Sequence, residues 1–429
     1  MKKGRKKGLL ILLAAVLLLL AAMAVVVGLI FSRHGGVTGS KCADQDEFAR
    51  YAGKVSDIRV PEQTRIVALG EATHGNVEFQ QLKLEVFKLM VEKYGVRAFA
   101  LEADYGGCEA VNRYIHGGKG SDGNVAVALG FTLYNTEQME QLIDWMRQYN
   151  EAAAEGEDLR FYGFDMQSMD CNYRFMVMAA EKKGVDVSSL KQMWNTEMGR
   201  PYDTYTVEQW AEAVASVRNE LAQLEGTDGA VHHADILIQN CGLGKAMADM
   251  NKGLAVRDGY MADNVRWILA QEEARGNRRI FISAHNGHIE RVCEYGSAGK
   301  NMGNLLADEY GDAYFAIGTD FYKSRCNLPN NFNRSKRGNH TFYSCDPLAK
   351  ASKECGYDSS WLDFSKVPAD SPLRQHVDGQ IWMGSIGEGY VPLMPLLPMT
   401  YRVKSTPAVL YDAMIFVSHA HPTAPQPMN

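Results

Sequence analysis

The chain has 429 residues, 46% hydrophobic and 22% charged, with a formal charge of −6. That composition suits a folded globular protein and excludes a disordered one. The mildly acidic balance leaves no basic footprint for nucleic acid, which is set aside as a partner.

At the N-terminus, Lys2, Lys3, Arg5, Lys6 and Lys7 precede an uncharged run from Leu9 to Phe31. As a helix this run reaches ~34 Å, enough to cross a hydrocarbon core of ~30 Å. The basic cluster before the run places the N-terminus in the cytoplasm. The expectation is a cytoplasmic tail over 1–8, a single-pass signal anchor over 9–31, a linker over 32–50 and an extracytoplasmic body over 51–429. A cleaved signal peptide is the rival, but Val25 to Phe31 stays apolar beyond Ala22-Met23-Ala24 and outruns a signal-peptide core. Either reading exports the body. Without the six basic residues up to Arg33, 39 Lys and Arg face 51 Asp and Glu, a balance of −12 that argues against binding anionic lipid electrostatically.

Six short apolar runs follow in order: Arg65–Gly70, Arg97–Glu102, Arg160–Asp165, Arg279–Ala284, Ala313–Gly318 and Ala413–Val417. Continuous rather than alternating, they predict strands buried on both faces. Between the first two, Phe79, Leu82, Val86, Leu89 and Met90 recur at helical spacing and Gly95 closes the helix. Met139, Leu142, Ile143 and Met146 mark a second helix. Strand, helix and strand in about forty residues make a βαβ unit and a parallel pair. The predicted class is α/β, a parallel or mixed central sheet with helices on both faces. Residues 172–256 read as a helical insertion, with amphipathic stretches at Trp210 to Leu224 and Ile236 to Met250. From Lys323 to Pro372 the chain turns polar with little period, which predicts a long surface excursion. The cysteines contain no CxxC pair, and the close group Cys326, Cys345 and Cys355 invites a disulfide in an oxidising compartment.

In open α/β sheets ligands bind beyond the carboxyl ends of the strands. Reading past each run gives Glu71 and His74, then Glu102 and Asp104, then Asp165, then His285 and His288, then Asp320, and last His419 and His421. Ionisable groups thus gather at one sheet edge. Each has a plainer reading: Glu102 or Asp104 can cap a loop, Asp165 can satisfy loop amides, and the terminal histidines can be solvated. His74 precedes a helix opening near Asn76, whose dipole would keep the imidazole neutral and able to accept a proton from water. Glu71 can hold its other ring nitrogen. No G-x-S-x-G, HExxH, P-loop or G-x-G-x-x-G signature occurs. The same histidines and glutamates would also serve zinc or manganese, so a metal-dependent hydrolase of envelope carbohydrate or phosphate stays open. A non-catalytic envelope-binding module is the third possibility.

At these turns the sequence resembles the erythromycin esterase family. The resemblance rests on Gly70-Glu-Ala-Thr-His-Gly75 with Glu78 and Lys83, on Ala100-Leu-Glu-Ala-Asp104, on Phe161-Tyr-Gly-Phe-Asp-Met-Gln167, on Arg257-Asp258, and on Ala284-His-Asn-Gly-His288, and it spans roughly 60 to 420. It implies hydrolysis of an ester, in named members a macrolide antibiotic lactone, by activated water with no cofactor, metal or covalent intermediate. It assigns His74 as general base, with Glu71, Glu102, His285 and His288 completing the catalytic set. Arg257, Lys83, Asp104 and Asp165 would contact the substrate or its oxyanion. The partners it implies are a small ester or lactone and, through the N-terminal helix, a membrane.

Overall fold

The computed structural model describes residues 2–38, 41–119, 125–293 and 299–426. Helix α1 (Lys2–Arg33) holds 24 residues, Leu10–Arg33, long and apolar enough to cross a membrane; most of that stretch is exposed, while Phe31 near its end is buried. The side chains of Lys2, Lys3, Arg5, Lys6 and Lys7, which carry the orientation argument, lie outside the described residues. A short helix α2 (Gln45–Tyr51) starts in the expected linker, runs one residue past its end and buries Phe48 in the core.

All six predicted strands form, and two more join them. In chain order they are β1 (Ile66–Glu71), β2 (Ala98–Asp104), β3 (Arg160–Asp165), β4 (Ile280–His285), β5 (Tyr314–Asn330), β6 (Asn333–Tyr343), β7 (Ser359–Asp363) and β8 (Ala413–Ala420). The sheet runs β3-β2-β4-β1-β5-β8-β7, with β6 paired to β5. The contacts of β1 with β4 and β5, of β2 with β3 and β4, and of β5 with β8 are parallel. The contacts of β7 with β8 and of β6 with β5 are antiparallel, so the sheet is mixed and mostly parallel.

Alternate strand residues enter two cores. Val67, Leu69, Phe99 and Phe281 pack beneath α3 (Val77–Tyr94), α4 (Tyr105–Ile115) and α5 (Glu137–Ala152). Ile66, Ala68, Ile280 and Ile282 face the opposite cluster. That side is completed by α10 (Met250–Ala274) and α12 (Met302–Tyr310), with the one-turn α11 (Asn286–Ile289) between them in sequence. Burial of both faces explains why the strands read as unbroken apolar runs. The helices α6 (Asp170–Lys182), α7 (Ser188–Met193), α8 (Val207–Leu221) and α9 (Asp228–Ala246) enclose a third, smaller core around Trp194, Trp210 and Leu237. Residues 250–256, expected in the insertion, instead open α10, which packs on the sheet.

Two expectations are corrected. The polar stretch from Lys323 is no irregular excursion: β5 runs on to Asn330 and turns into β6, and β7 adds an antiparallel edge to β8. The C-terminal cysteines form no bridge among themselves, since Cys326 and Cys355 are free thiols.

Candidate active site

The first turn of the site follows β1. Glu71 ends that strand in register with His285 at the end of β4, so the two turns start side by side. The β4 turn packs tightly enough that a Cβ on Gly70 would collide with the Asn286 amide oxygen. Likewise Gly75 lies against the Asn327 backbone, which closes the turn carrying His74. Glycine is required where backbones approach this closely.

His74 Nδ1 lies 2.8 Å from Glu71 Oε1, and Lys83, from α3, places Nζ 2.5 Å from Glu71 Oε2. Burial would raise the Glu71 pKa, but Lys83 and His74 together bring it down to about 2. Burial likewise disfavours a charged His74. Glu71, with Glu102 and Glu388 farther away, overcomes this and raises its pKa above 6.5. The helix-dipole expectation is therefore reversed. The partial charge at a helix N-terminus is weaker than a full carboxylate in direct, buried contact.

The second turn holds a different kind of histidine. His285 caps α11 with its own ring: Gly287 N–H donates to His285 Nδ1 at 3.2 Å, so the ring proton belongs on Nε2. That Nε2 is buried with no hydrogen-bond partner among the described residues. Burial, with His74 and His288 nearby, brings the His285 pKa down to about 3. The rings of His74 and His285 have centroids 5.1 Å apart. His288 sits between two carboxylates, Nδ1 2.8 Å from Asp258 and Nε2 3.3 Å from Glu102. Burial opposes its charge, yet Glu102 and Asp258 push its pKa up to about 10. A cavity of about 320 Å³ opens beside His285 and His288, with Asp258, Leu254, Ser385 and Thr400 among its lining.

A family model for erythromycin esterase matches residues 91–420. The chain belongs to the erythromycin esterase family. Erythromycin esterase type II of Escherichia coli is 25% identical over 350 residues, covering 72% of this chain and 82% of that protein. A solved succinoglycan biosynthesis protein shares the fold with a TM-score of 0.73 at 19% identity, over 89% of this chain and 98% of its own. A mutant of the erythromycin esterase EreC, in its open conformation, has a TM-score of 0.60 at 17% identity, over 85% and 92%. The family match begins beyond Glu71, His74 and Lys83, so that turn of this erythromycin esterase family member rests on its geometry.

The four residues expected to touch substrate are each spent on protein partners. Lys83 is fully buried on Glu71. Arg257, on α10, donates Nη2 to Glu102 Oε1 at 2.8 Å and to Asp165 Oδ2 at 2.6 Å, and Nε to Asp165 Oδ1 at 3.2 Å. Asp165 accepts in addition the Met166 amide and Gln167 Nε2. Asp104 is the N-cap of α4, accepting from the Gly106 and Gly107 amides, the Ser168 amide and Asn172 Nδ2. Its loop-capping alternative is the one realised. Glu102 joins the turns, for its Oε2 accepts the His285 backbone N–H at 2.8 Å. Burial would raise its pKa, but His288 and Arg257 hold it well below the usual carboxylate range. At the surface, His419 is exposed and His421 pairs with Glu78.

Sequence reasoning missed Asp258 as the partner of His288. Its signal lay in the adjacent Arg257-Asp258 pair, two opposite charges side by side on a helix that must bury one face. Glu388, which acts on His74 through space, follows a Gly-rich turn and carried no signal.

A metal ion does not fit this donor set. Lys83 and Arg257 already stand as the cations against Glu71, Glu102 and Asp165, and His288 is held at both nitrogens. Among the described residues, no group of three His, Cys, Asp or Glu could hold a metal. The metal-dependent alternative finds no support in the donor geometry.

Proposed function

We propose that the chain hydrolyses a carboxylic ester or lactone with water activated by His74 and no covalent intermediate. The carrying observation is the pair of imidazoles 5.1 Å apart, each held through one nitrogen and, among the described residues, without a hydrogen-bond partner at the other. With Nδ1–H donated to Glu71, neutral His74 keeps its lone pair on Nε2, where it can accept a proton from a water attacking the carbonyl. Glu71, itself fixed by Lys83, stabilises the imidazolium that forms. His285 has the complementary tautomer, and its Nε2–H is a preorganised donor for the oxygen that becomes negative. As the tetrahedral intermediate collapses, the His74 imidazolium returns its proton to the leaving alkoxide. Glu102, Arg257, Asp165 and His288 position the His285 turn.

We infer further that α1 remains as a single-pass anchor with the body outside the cytoplasm. Supporting this, Arg402 of the body donates to the His34 and Gly36 carbonyls just past α1, so the helix end is part of the folded unit. A macrolide lactone is the first substrate to try, since relatives carry that activity in their names.

The test is a mass-spectrometric screen of the purified full-length protein against esters and lactones, macrolides included. Gain of one water by at least one compound is expected, insensitive to chelators and lost in His74→Ala. No water gain across the panel, or a His74→Ala variant as active as wild type, would overturn the reading. Gain only on non-macrolide esters would remove the antibiotic and keep the hydrolase.

A further inference from the structure

The anchor helix is fastened to a small platform. His34 packs on Trp382 with ring centroids 5.0 Å apart, Phe31 is buried, and the Arg402 guanidinium lies 5.6 Å from its ring centre. Trp382 and Arg402 belong to two antiparallel strands, Ile381–Gly384 and Arg402–Ser405. The loop these strands hold is unusual in composition: residues 389–401 include no charged side chain. Within it Leu393, Leu396 and Met399 are 65%, 43% and 48% exposed, and Phe332, at the β5–β6 turn, is 80% exposed. The two segments are tied together, since Tyr390 N–H donates to the Pro329 carbonyl and Asn331 N–H to the Tyr390 carbonyl. The same loop reaches the hydrolytic site, because Ser385, Gly387 and Thr400 line the cavity beside His285 and His288.

Large apolar side chains gathered on an exposed surface mark a contact site. Its occupant follows from continuity: the tip grows from the platform that holds the membrane helix, so it stands beside the bilayer. Arg334 and Lys336 are exposed beside Phe332, so attraction to anionic lipid can add to apolar insertion, and a neutral bilayer isolates the apolar part. We propose that Phe332, Leu393, Leu396 and Met399 seat in the outer face of the bilayer, and that the cavity takes its ester from there, as an acyl ester of a membrane-resident amphiphile. The proposal rests on the anchor and ester-hydrolase readings above.

The full-length protein in phosphatidylcholine vesicles tests it, with p-benzoyl-phenylalanine replacing Leu396 or, as control, Glu155 in the loop before β3 at the other edge of the sheet. Irradiation should give lipid adducts from position 396 and none from 155, with equal yield in low and high salt. The triple variant Leu393→Ser, Leu396→Ser, Met399→Ser should hydrolyse a short water-soluble ester at the wild-type rate, but a long-chain ester dissolved in the vesicle at least about tenfold more slowly. No adducts at 396, or equal adducts at 155, would overturn the tip. Unchanged hydrolysis of the vesicle-borne ester would overturn the substrate class. Adducts with no hydrolysis of either ester would overturn the ester-hydrolase reading and leave the tip standing.

Discussion

At His74 two effects oppose each other: burial favours the neutral ring and Glu71 favours the cation, and the carboxylate wins. The base form is needed for water activation, so kcat/KM should rise with pH through an apparent pKa above 6.5. Lys83 moderates this by sharing Glu71. Lys83→Met removes a positive charge near the imidazolium, raises the His74 pKa further and should move the rising limb to higher pH. His285→Ala deletes the proposed oxyanion donor and should lower kcat by about 10²–10³, with KM little changed, in steady-state kinetics. The residues of both turns were legible as polar types at the ends of apolar strands. Their roles were less so, because which carboxylate faces which histidine depends on the register between β1 and β4 and on α10, which arrives from far along the chain.

Helix α10 is the element that joins the site. Arg257 crosses to β2 and β3, and Asp258 holds His288 on the β4 turn. Arg257→Ala would leave Asp165 buried without its cation and Glu102 with His288 alone, and denaturant unfolding should show a loss of about 3–5 kcal/mol. The strands β1 to β4 and β8 were readable because both faces are buried, which writes unbroken apolar runs into the sequence. The hairpin strand β6 was not. Most of Asn333–Tyr343 faces solvent, and such a strand is held by backbone pairing that leaves no apolar period. Edge strand β7 is short, and its partner β8 lies some fifty residues further on, so nothing local announced it.

At the scale of the whole molecule, buried histidines and aspartates together set the response to pH. His232, His233 and His285 have pKa values brought down to about 3, chiefly by burial. The unfolded chain binds their protons from 6.5 downward while the folded one does not, so their contribution to stability falls as pH drops from about 6.5 toward 3. His288, pushed up to about 10, acts oppositely: its contribution is complete below 6.5 and is lost as pH rises toward 10. Asp104, raised to about 7 by burial, and Asp320 and Asp346, raised likewise, bind protons on folding and offset the three histidines between about 4 and 6.5, so thermal melts should show a plateau there and a loss as pH rises from 6.5 toward 10. The mechanism depends most on His74 as the base, and the pH profile of kcat/KM, measured for wild type and His74→Ala on an ester that the screen identifies, is its sharpest test. It predicts a wild-type limb rising above pH 6.5 and a His74→Ala variant slower by about 10²–10⁴ that has lost that limb. A His74→Ala variant that keeps the wild-type rate and the same limb would contradict it.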